Sequence, residues 1–365
     1  MNKRLIANFP WWFFLIILFI TVVGVVVIYS ANQGRPEAFF RNLYFKQVMW
    51  IGYGFAGMLL AVVIDYRVWS DNAYLIYGVT VLALIYTLFY GNTASGARRW
   101  IHMGPVVIQV SEFAKFALII TLSKIFAIKK HAKNYELVDL FFPGLMTAII
   151  CILIALQPDL GTAMIILFVF LIYTAAAELR RGTLIKIFSV GLFSVPMLWF
   201  ILKDYQKTRV LTLFNPELDP LGAGYHSIQS KIAIGSGGFW GQGLFAGTQS
   251  RLNFLPEKHT DFIFSVFAEE MGFLGVIVLL TLYLVLILKG LNIAYRAGDR
   301  FGLFLALGIT GSIAFYIIVN IGMTVGLFPI TGIPLPLLSY GGSSLITTFF
   351  ALGLLLNIEM RKGIH

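Results

Sequence analysis

The chain has 365 residues, of which 59% are hydrophobic and 12% charged, whereas a soluble domain carries about 25% charged residues. That composition excludes an ordinary water-soluble globule and fits a polytopic membrane protein. The net charge of +10 then reads as basic loops beside anionic lipid rather than as a nucleic-acid surface, and the single cysteine, Cys151, excludes an internal disulfide.

Apolar runs occur at about 11–30, 45–64, 72–90, 108–127, 137–156, 160–178, 183–201, 262–288, 301–327 and 341–358. Each is long enough to cross a bilayer at about 1.5 Å per residue. The expected fold class is all-α: an integral membrane protein of about ten transmembrane helices, built as one domain over 1–365. Lys3 and Arg4 ahead of the first run resemble a signal peptide. The run itself is close to the roughly 20 residues of a spanning helix, so it reads as an uncleaved anchor.

Basic residues collect on alternate loops. Lys124, Lys129, Lys130 and Lys133 follow the fourth run, Arg180, Arg181 and Lys186 the sixth, and Lys289, Arg296 and Arg300 the eighth; Arg361 and Lys362 end the chain. The opposite loops hold fewer, Arg35 and Arg41 and then Arg98 and Arg99. The positive-inside rule places both termini in the cytoplasm and the long loop 202–261 outside. A loop that long is functional more often than it is a simple connection. It is rich in glycine, and its segment 225–234 reads as a short helix on the membrane face. The glycines do not form a nucleotide-binding turn, because no βαβ unit surrounds them.

Several polar residues interrupt the apolar pattern. Arg98, Arg99 and Trp100 precede the fourth run; a guanidinium there suits bidentate recognition of phosphate, or simply rests at the interface. Glu112 and Lys115 are three apart on a helix, so they either pair with each other or hold an anionic ligand. Asp159, in QPDLGTA, is a turn acid that can cap the next helix. Glu257, Lys258, His259 and Asp261 stand at the mouth of the eighth run, and Glu269 and Glu270 follow two turns inside it. Thr260 reads as the helix N-cap, with Asp261 in the first turn and Ser265 and Glu269 on its face. Asp261 is then either an acid stabilised by the helix dipole or a base or metal ligand facing water. PLPLLSYGGSS, from 334 to 344, gives irregular backbone at membrane depth, which is tolerated only where it is buried in protein or lines a cavity. The histidines His102, His131, His226 and His365 show no zinc spacing.

RRWIHMGPVVIQVSEFAK, QPDLGTA, LNFLPEKHTDFIFSVFAEEMGFLG and PLPLLSYGGSSL together resemble the signature segments of the SEDS family (shape, elongation, division and sporulation). The long outer loop and about ten spans match it as well, and NFLPEKHTDFIFSVFAEE looks more like the RodA branch of cell elongation than the FtsW branch of division. VSEF stands where relatives carry PSEF or PSEI, so Val110 replaces a helix-starting proline.

The resemblance implies a peptidoglycan glycosyltransferase of the bacterial inner membrane that polymerises lipid II. It also implies work with a class B penicillin-binding protein and other membrane proteins of the elongation complex. By the family's motifs, Asp261 is the essential aspartate, and Glu112, Lys115, Asp159 and Arg99 are its companions at the substrate. Chain growth has a sugar hydroxyl displace a polyprenyl diphosphate with inversion at the anomeric carbon. Asp261 would act as base or hold a divalent cation, Mg²⁺ or Mn²⁺, and cations would receive the diphosphate. Glu257, Lys258 and His259 are candidate substrate contacts beside it. A lipid II flippase and a non-catalytic scaffold are the alternative readings.

Overall fold

The computed structural model describes residues 8–32, 42–94, 97–103, 106–128, 135–177, 202–220, 222–252, 254–255 and 257–362, with a few isolated positions between 178 and 201. In chain order its helices are α1 (Trp11–Asn32), α2 (Leu43–Val63), the short α3 (Tyr66–Asp71), α4 (Ala73–Tyr90), α5 (Val110–Ile128), α6 (Leu137–Leu156) and α7 (Leu160–Ala176). The long loop then carries α8 (Asp204–Phe214), α9 (Ala223–Ser236) and α10 (Thr248–Arg251), before α11 (Ile263–Tyr295), α12 (Arg300–Val325) and α13 (Gly342–Arg361). Nine of the ten expected spans thus have a helix. The seventh, 183–201, lies mostly outside the described residues, as do Lys3, Arg4, Arg35, Arg41, Lys129, Lys130, Lys133, Arg181, His131 and His365 and the side chains of Arg98 and His102.

Among the described residues, seven helices are long and apolar enough to cross a membrane. The two that fall short do so for different reasons. Helix α7 has 17 residues, while α5 carries Glu112, Lys115 and Lys124 within its 19 residues. Helix α5 can hold those charges because protein rather than lipid surrounds it; Glu112 and Lys115 are each 3% exposed. Chain between spans is more ordered than the all-α expectation allows: β1 (Asn92–Ala94), β2 (Ala97–Met103) and β3 (Val106–Gln109) form an antiparallel sheet in the order β1-β2-β3. The helix expected at 225–234 is present as the longer α9.

The two ends of the bundle are held differently. At one end Arg361 pairs with Asp65 at 3.0 Å, Arg67 with Asp299 at 3.1 Å and Lys289 with Glu359 at 2.8 Å. Asn357 Nδ2 there donates to the carbonyls of Ala61, Val62 and Ile64 at 2.7, 2.9 and 2.6 Å, receiving the carbonyls that the end of α2 leaves without helical partners. The start of α1 is at this end too, since Lys289 Nζ lies 5.2 Å from the Trp12 ring centre. The other end of the bundle carries the sheet, the long loop and the start of α13: the Gln109 N–H donates to Ser343 Oγ at 2.9 Å, which joins β3 to α13.

Helix α11 breaks its own ladder at Gly272, where φ is 65° and ψ is −168°. The glycine-rich loop repairs the break. Gln242 and Gly243 N–H groups donate to the Glu269 and Glu270 carbonyls, both at 3.0 Å, and the Phe273 and Leu274 N–H groups donate back to the Gly238 and Phe239 carbonyls at 2.9 and 3.2 Å. These four bonds give protein partners to backbone groups that the kink would otherwise strand, as a lipid environment requires. Only glycine fits at 272, because a Cβ there would lie 2.2 Å from Gly241 N.

Candidate active site

Residues far apart in the chain meet in a cavity of about 160 Å³ at the sheet end of the bundle. Arg99, Glu112, Asp159 and Asp261 line it, with Tyr316 and the start of α13 closing other sides.

Asp159 performs the task its sequence position suggests and one that it does not. It caps α7 by accepting from Thr162 N at 3.3 Å, and it pairs with Arg99 at 3.3 Å. Its Oδ2 also receives Gln109 Nε2 at 3.1 Å, Ser111 Oγ at 3.1 Å and Thr162 Oγ1 at 3.0 Å. Glu112 is equally occupied. Lys115 Nζ lies 3.0 Å from its Oε2, Tyr316 O–H donates to Oε1 at 2.8 Å, and Thr347 Oγ1 reaches Oε2 at 3.3 Å. Lys115 Nζ completes the triangle by donating to Tyr316 Oη at 2.8 Å. Lys115 therefore sits behind the cavity wall, committed to Glu112 and Tyr316.

Asp261 differs from both. Its carboxylate carries no side-chain or backbone hydrogen bond among the described residues, and it points toward Gly332, where a methyl group in place of the glycine hydrogen would lie 3.5 Å from Oδ2. Burial, followed by the nearby Glu257 charge, raises its pKa to about 6, with Arg209 and Arg99 acting in the opposite direction. A carboxylate tuned in this way is mostly ionised at neutral pH yet basic enough to take a proton.

The local backbone departs from the sequence expectation. Helix α11 starts at Ile263 with Phe262 at its N-cap, so Thr260 does not cap it and Asp261 stands in the turn before it. Thr260 Oγ1 instead donates within the turn, to the Glu257 carbonyl and to Glu257 Oε2, both at 3.2 Å. Ser265 and Glu269 do not share the Asp261 cavity. Ser265 bonds Ser230 at 2.7 Å, and Glu269 Oε1 accepts from Gln249 N at 2.8 Å. The reason is geometric: the turn aims Asp261 off the helix axis before the 3.6-residue period begins.

The other charged residues at this mouth are dispersed. Glu257 is exposed and adopts φ 45°, whereas Lys258 is fully buried and does not line the cavity. His259 packs its ring 5.9 Å from that of Tyr340, and its carbonyl accepts from Tyr340 N at 2.8 Å. Asn320, which the sequence pattern does not single out, holds the turn: its Nδ2 donates to the Asp261 carbonyl at 3.0 Å and to the Ile333 carbonyl at 2.7 Å. A lone asparagine in the apolar α12 is the signal that could have found it.

Among the described residues, no three His, Cys, Asp or Glu side chains gather into a metal site. Of the three cavity carboxylates, Asp261 is the one that would hold a divalent ion, since Asp159 and Glu112 are occupied by protein partners.

A family model described as cell cycle protein, FtsW/RodA/SpoVE, matches residues 10–363. The peptidoglycan glycosyltransferase MrdB of Escherichia coli (strain K12) is 40% identical over 356 residues, covering 95% of this chain and 92% of that protein. The peptidoglycan glycosyltransferase RodA of Treponema pallidum (strain Nichols) is 34% identical over 435 residues, covering 99% of this chain and all (100%) of that protein. Among solved structures, a chain from work on structural coordination of polymerization and crosslinking by a peptidoglycan synthase complex superposes with a TM-score of 0.82 at 31% identity, covering 98% of this chain and 99% of that one. The multi-pass helical body, the cavity and these likenesses agree with the motifs of the sequence: the chain belongs to the FtsW/RodA/SpoVE family, called SEDS above, on its RodA branch.

Proposed function

We propose that this peptidoglycan glycosyltransferase polymerises lipid II at the Asp261 cavity, on the extracytoplasmic side of the inner membrane. The carrying observation is the contrast among the acids of the cavity. Asp159 and Glu112 are saturated by partners, while the Asp261 carboxylate is turned to the space a substrate would fill.

In the reaction, the acceptor sugar oxygen forms a bond to the anomeric carbon of the donor as the bond from that carbon to the diphosphate breaks. Asp261 takes the hydroxyl proton, and the bonding electron pair leaves with the polyprenyl diphosphate. Arg99 reaches the cavity while anchored to Asp159, so it offers the guanidinium edge to the departing charge. A Mg²⁺ or Mn²⁺ ion held by Asp261 would supply further charge stabilisation. The Lys115–Glu112–Tyr316 triangle fixes the cavity floor rather than contacting the diphosphate.

Partner and place follow from the same reading. The similar chain in a synthase complex supports joint work with a crosslinking enzyme, and the family resemblance implies that this is a class B penicillin-binding protein, alongside other elongation proteins. The flippase reading is weaker, because a carrier places its site near the bilayer midplane, and this cavity lies at the sheet end of the helices. The test is glycan synthesis by the purified protein in detergent, where transport has no meaning. Wild type should polymerise lipid II and Asp261→Asn should not; undiminished synthesis by the variant would end the assignment.

A further inference from the structure

A second, larger cavity of about 450 Å³ adjoins the first. It lies between α8 and the start of α9, and Tyr205, Thr208, Arg209, Asp219 and His226 contribute to its walls. The segment 330–334 separates the two: Ile330 faces the larger cavity, while Gly332, Ile333 and Pro334 face the Asp261 cavity.

Among the described residues, the second cavity holds a cation that no ion pair meets. Around Asp261, Arg99 and Lys115 each face a carboxylate, which leaves Asp261 as the extra negative charge. Next door, Arg209 is exposed, and among the described residues no carboxylate pairs with it; its Nη1 donates only to the Ile330 carbonyl, at 3.1 Å. Asp219, the acid in that lining, keeps its charge but is turned to the start of α9, where its Oδ2 accepts from Ala223 N at 2.8 Å. Burial lowers the His226 pKa, so at neutral pH its ring is a neutral hydrogen-bonding group. The two cavities nonetheless share one field, since the Arg209 charge acts on both Asp261 and His226.

Sugar chemistry gives this unpaired guanidinium a use. A lipid-linked disaccharide that attacks with its outer hydroxyl keeps its own diphosphate, one disaccharide away from the reacting oxygen. That diphosphate needs a cation of its own, one disaccharide from the reacting oxygen. Its tail needs an apolar rim, and Leu211, Phe214 and Leu218 are exposed along α8 and the turn after it. We propose that the Arg209 cavity is a second substrate subsite, which takes the diphosphate of the lipid-linked saccharide whose hydroxyl reacts at Asp261. This assignment rests on Asp261 being the site of chemistry.

The test counts bound lipids by native mass spectrometry of the full-length protein in detergent, with undecaprenyl diphosphate as probe. Wild type and Asp261→Asn should each hold two copies. Arg209→Ala should hold one at the same lipid concentration, with the weaker copy needing about tenfold more lipid, the loss expected for a charge-assisted contact. Thr208→Glu, which adds repulsion inside the cavity and leaves the Arg209–Ile330 bond in place, should behave like Arg209→Ala. A single copy in wild type, or two copies in both cavity variants, would overturn the subsite. Inorganic pyrophosphate displacing the second copy as effectively as the lipid would also overturn it, since the site would then be one for free anions. Polymerisation by Asp261→Asn is a separate readout; it would remove the reading of the first cavity while leaving the lipid counts as measured.

Discussion

Asn320 holds Asp261 by its backbone and leaves its carboxylate alone: Nδ2 donates to the Asp261 carbonyl at 3.0 Å and to the Ile333 carbonyl at 2.7 Å. The turn that presents the acid and the segment that divides the two cavities are thus clamped by one amide. Asn320→Leu should lower glycan synthesis by about tenfold or more, through misplacement of Asp261 rather than loss of a reacting group. Asn320→Asp keeps one side-chain oxygen but brings a charge without the donor, and should do no better. Single-turnover rates on lipid II would check this; wild-type rates in both variants would refute the clamp.

The pH dependence of polymerisation should report Asp261. With its pKa raised to about 6 by burial and Glu257, log kcat/KM should climb with unit slope below about pH 6 and level off above it. Stability runs the other way. The folded state binds the Asp261 proton more tightly than the unfolded chain, so folding is favoured at low pH and that gain fades as pH rises through about 6. Asp261→Asn, which cannot ionise, should therefore raise the thermal midpoint at pH 7.5 while abolishing synthesis. A lowered midpoint would contradict the sign.

Lys115 and Glu112 should behave as a unit. Lys115→Met leaves a carboxylate buried with only hydroxyl partners and should cost about 3–5 kcal/mol. Glu112→Gln with Lys115→Met removes both charges and should recover much of that loss. Thermal midpoints of the two singles and the double in one detergent give the coupling.

Asn357→Ala should unlatch α2 from α13. Three carbonyls of 61–64 lose their donor, and unsatisfied buried carbonyls cost about 1–3 kcal/mol each before water enters. A fall in thermal midpoint with little change in kcat for the surviving protein is expected, because Asn357 lies at the end of the bundle away from the cavity. Loss of kcat without loss of stability would show that this end is coupled to the chemistry.

Much of this is legible in the sequence, for reasons that differ by residue. The spans follow from apolar runs of bilayer length, and nine of the ten have helices at nearly the expected bounds. Arg99, Glu112, Asp159 and Asp261 stand out because a charge near lipid is costly and so informative; three-dimensional folding is needed to bring them to one cavity. Lys115 can be paired with Glu112 from their spacing, yet Tyr316, more than 200 positions away in the chain, cannot, since nothing local marks which tyrosine turns inward. The turn before α11 misleads because Thr260 has a capping residue's chemistry, while the Asn320 and Ser339 contacts that help hold 260–261 come from distant parts of the chain. Arg209 is silent in the sequence because one arginine in a long polar loop carries no periodic signature.

The exchange of hydrogen bonds between the Gly272 break and the glycine-rich loop has a consequence for evolution and engineering. Segment 238–243 and segment 269–274 are two halves of one woven joint, each supplying donors and acceptors that the other lacks. Adding or deleting a single residue in either half shifts the weave out of phase. Transplanting that loop between homologues should succeed only when the matching piece of the long helix travels with it.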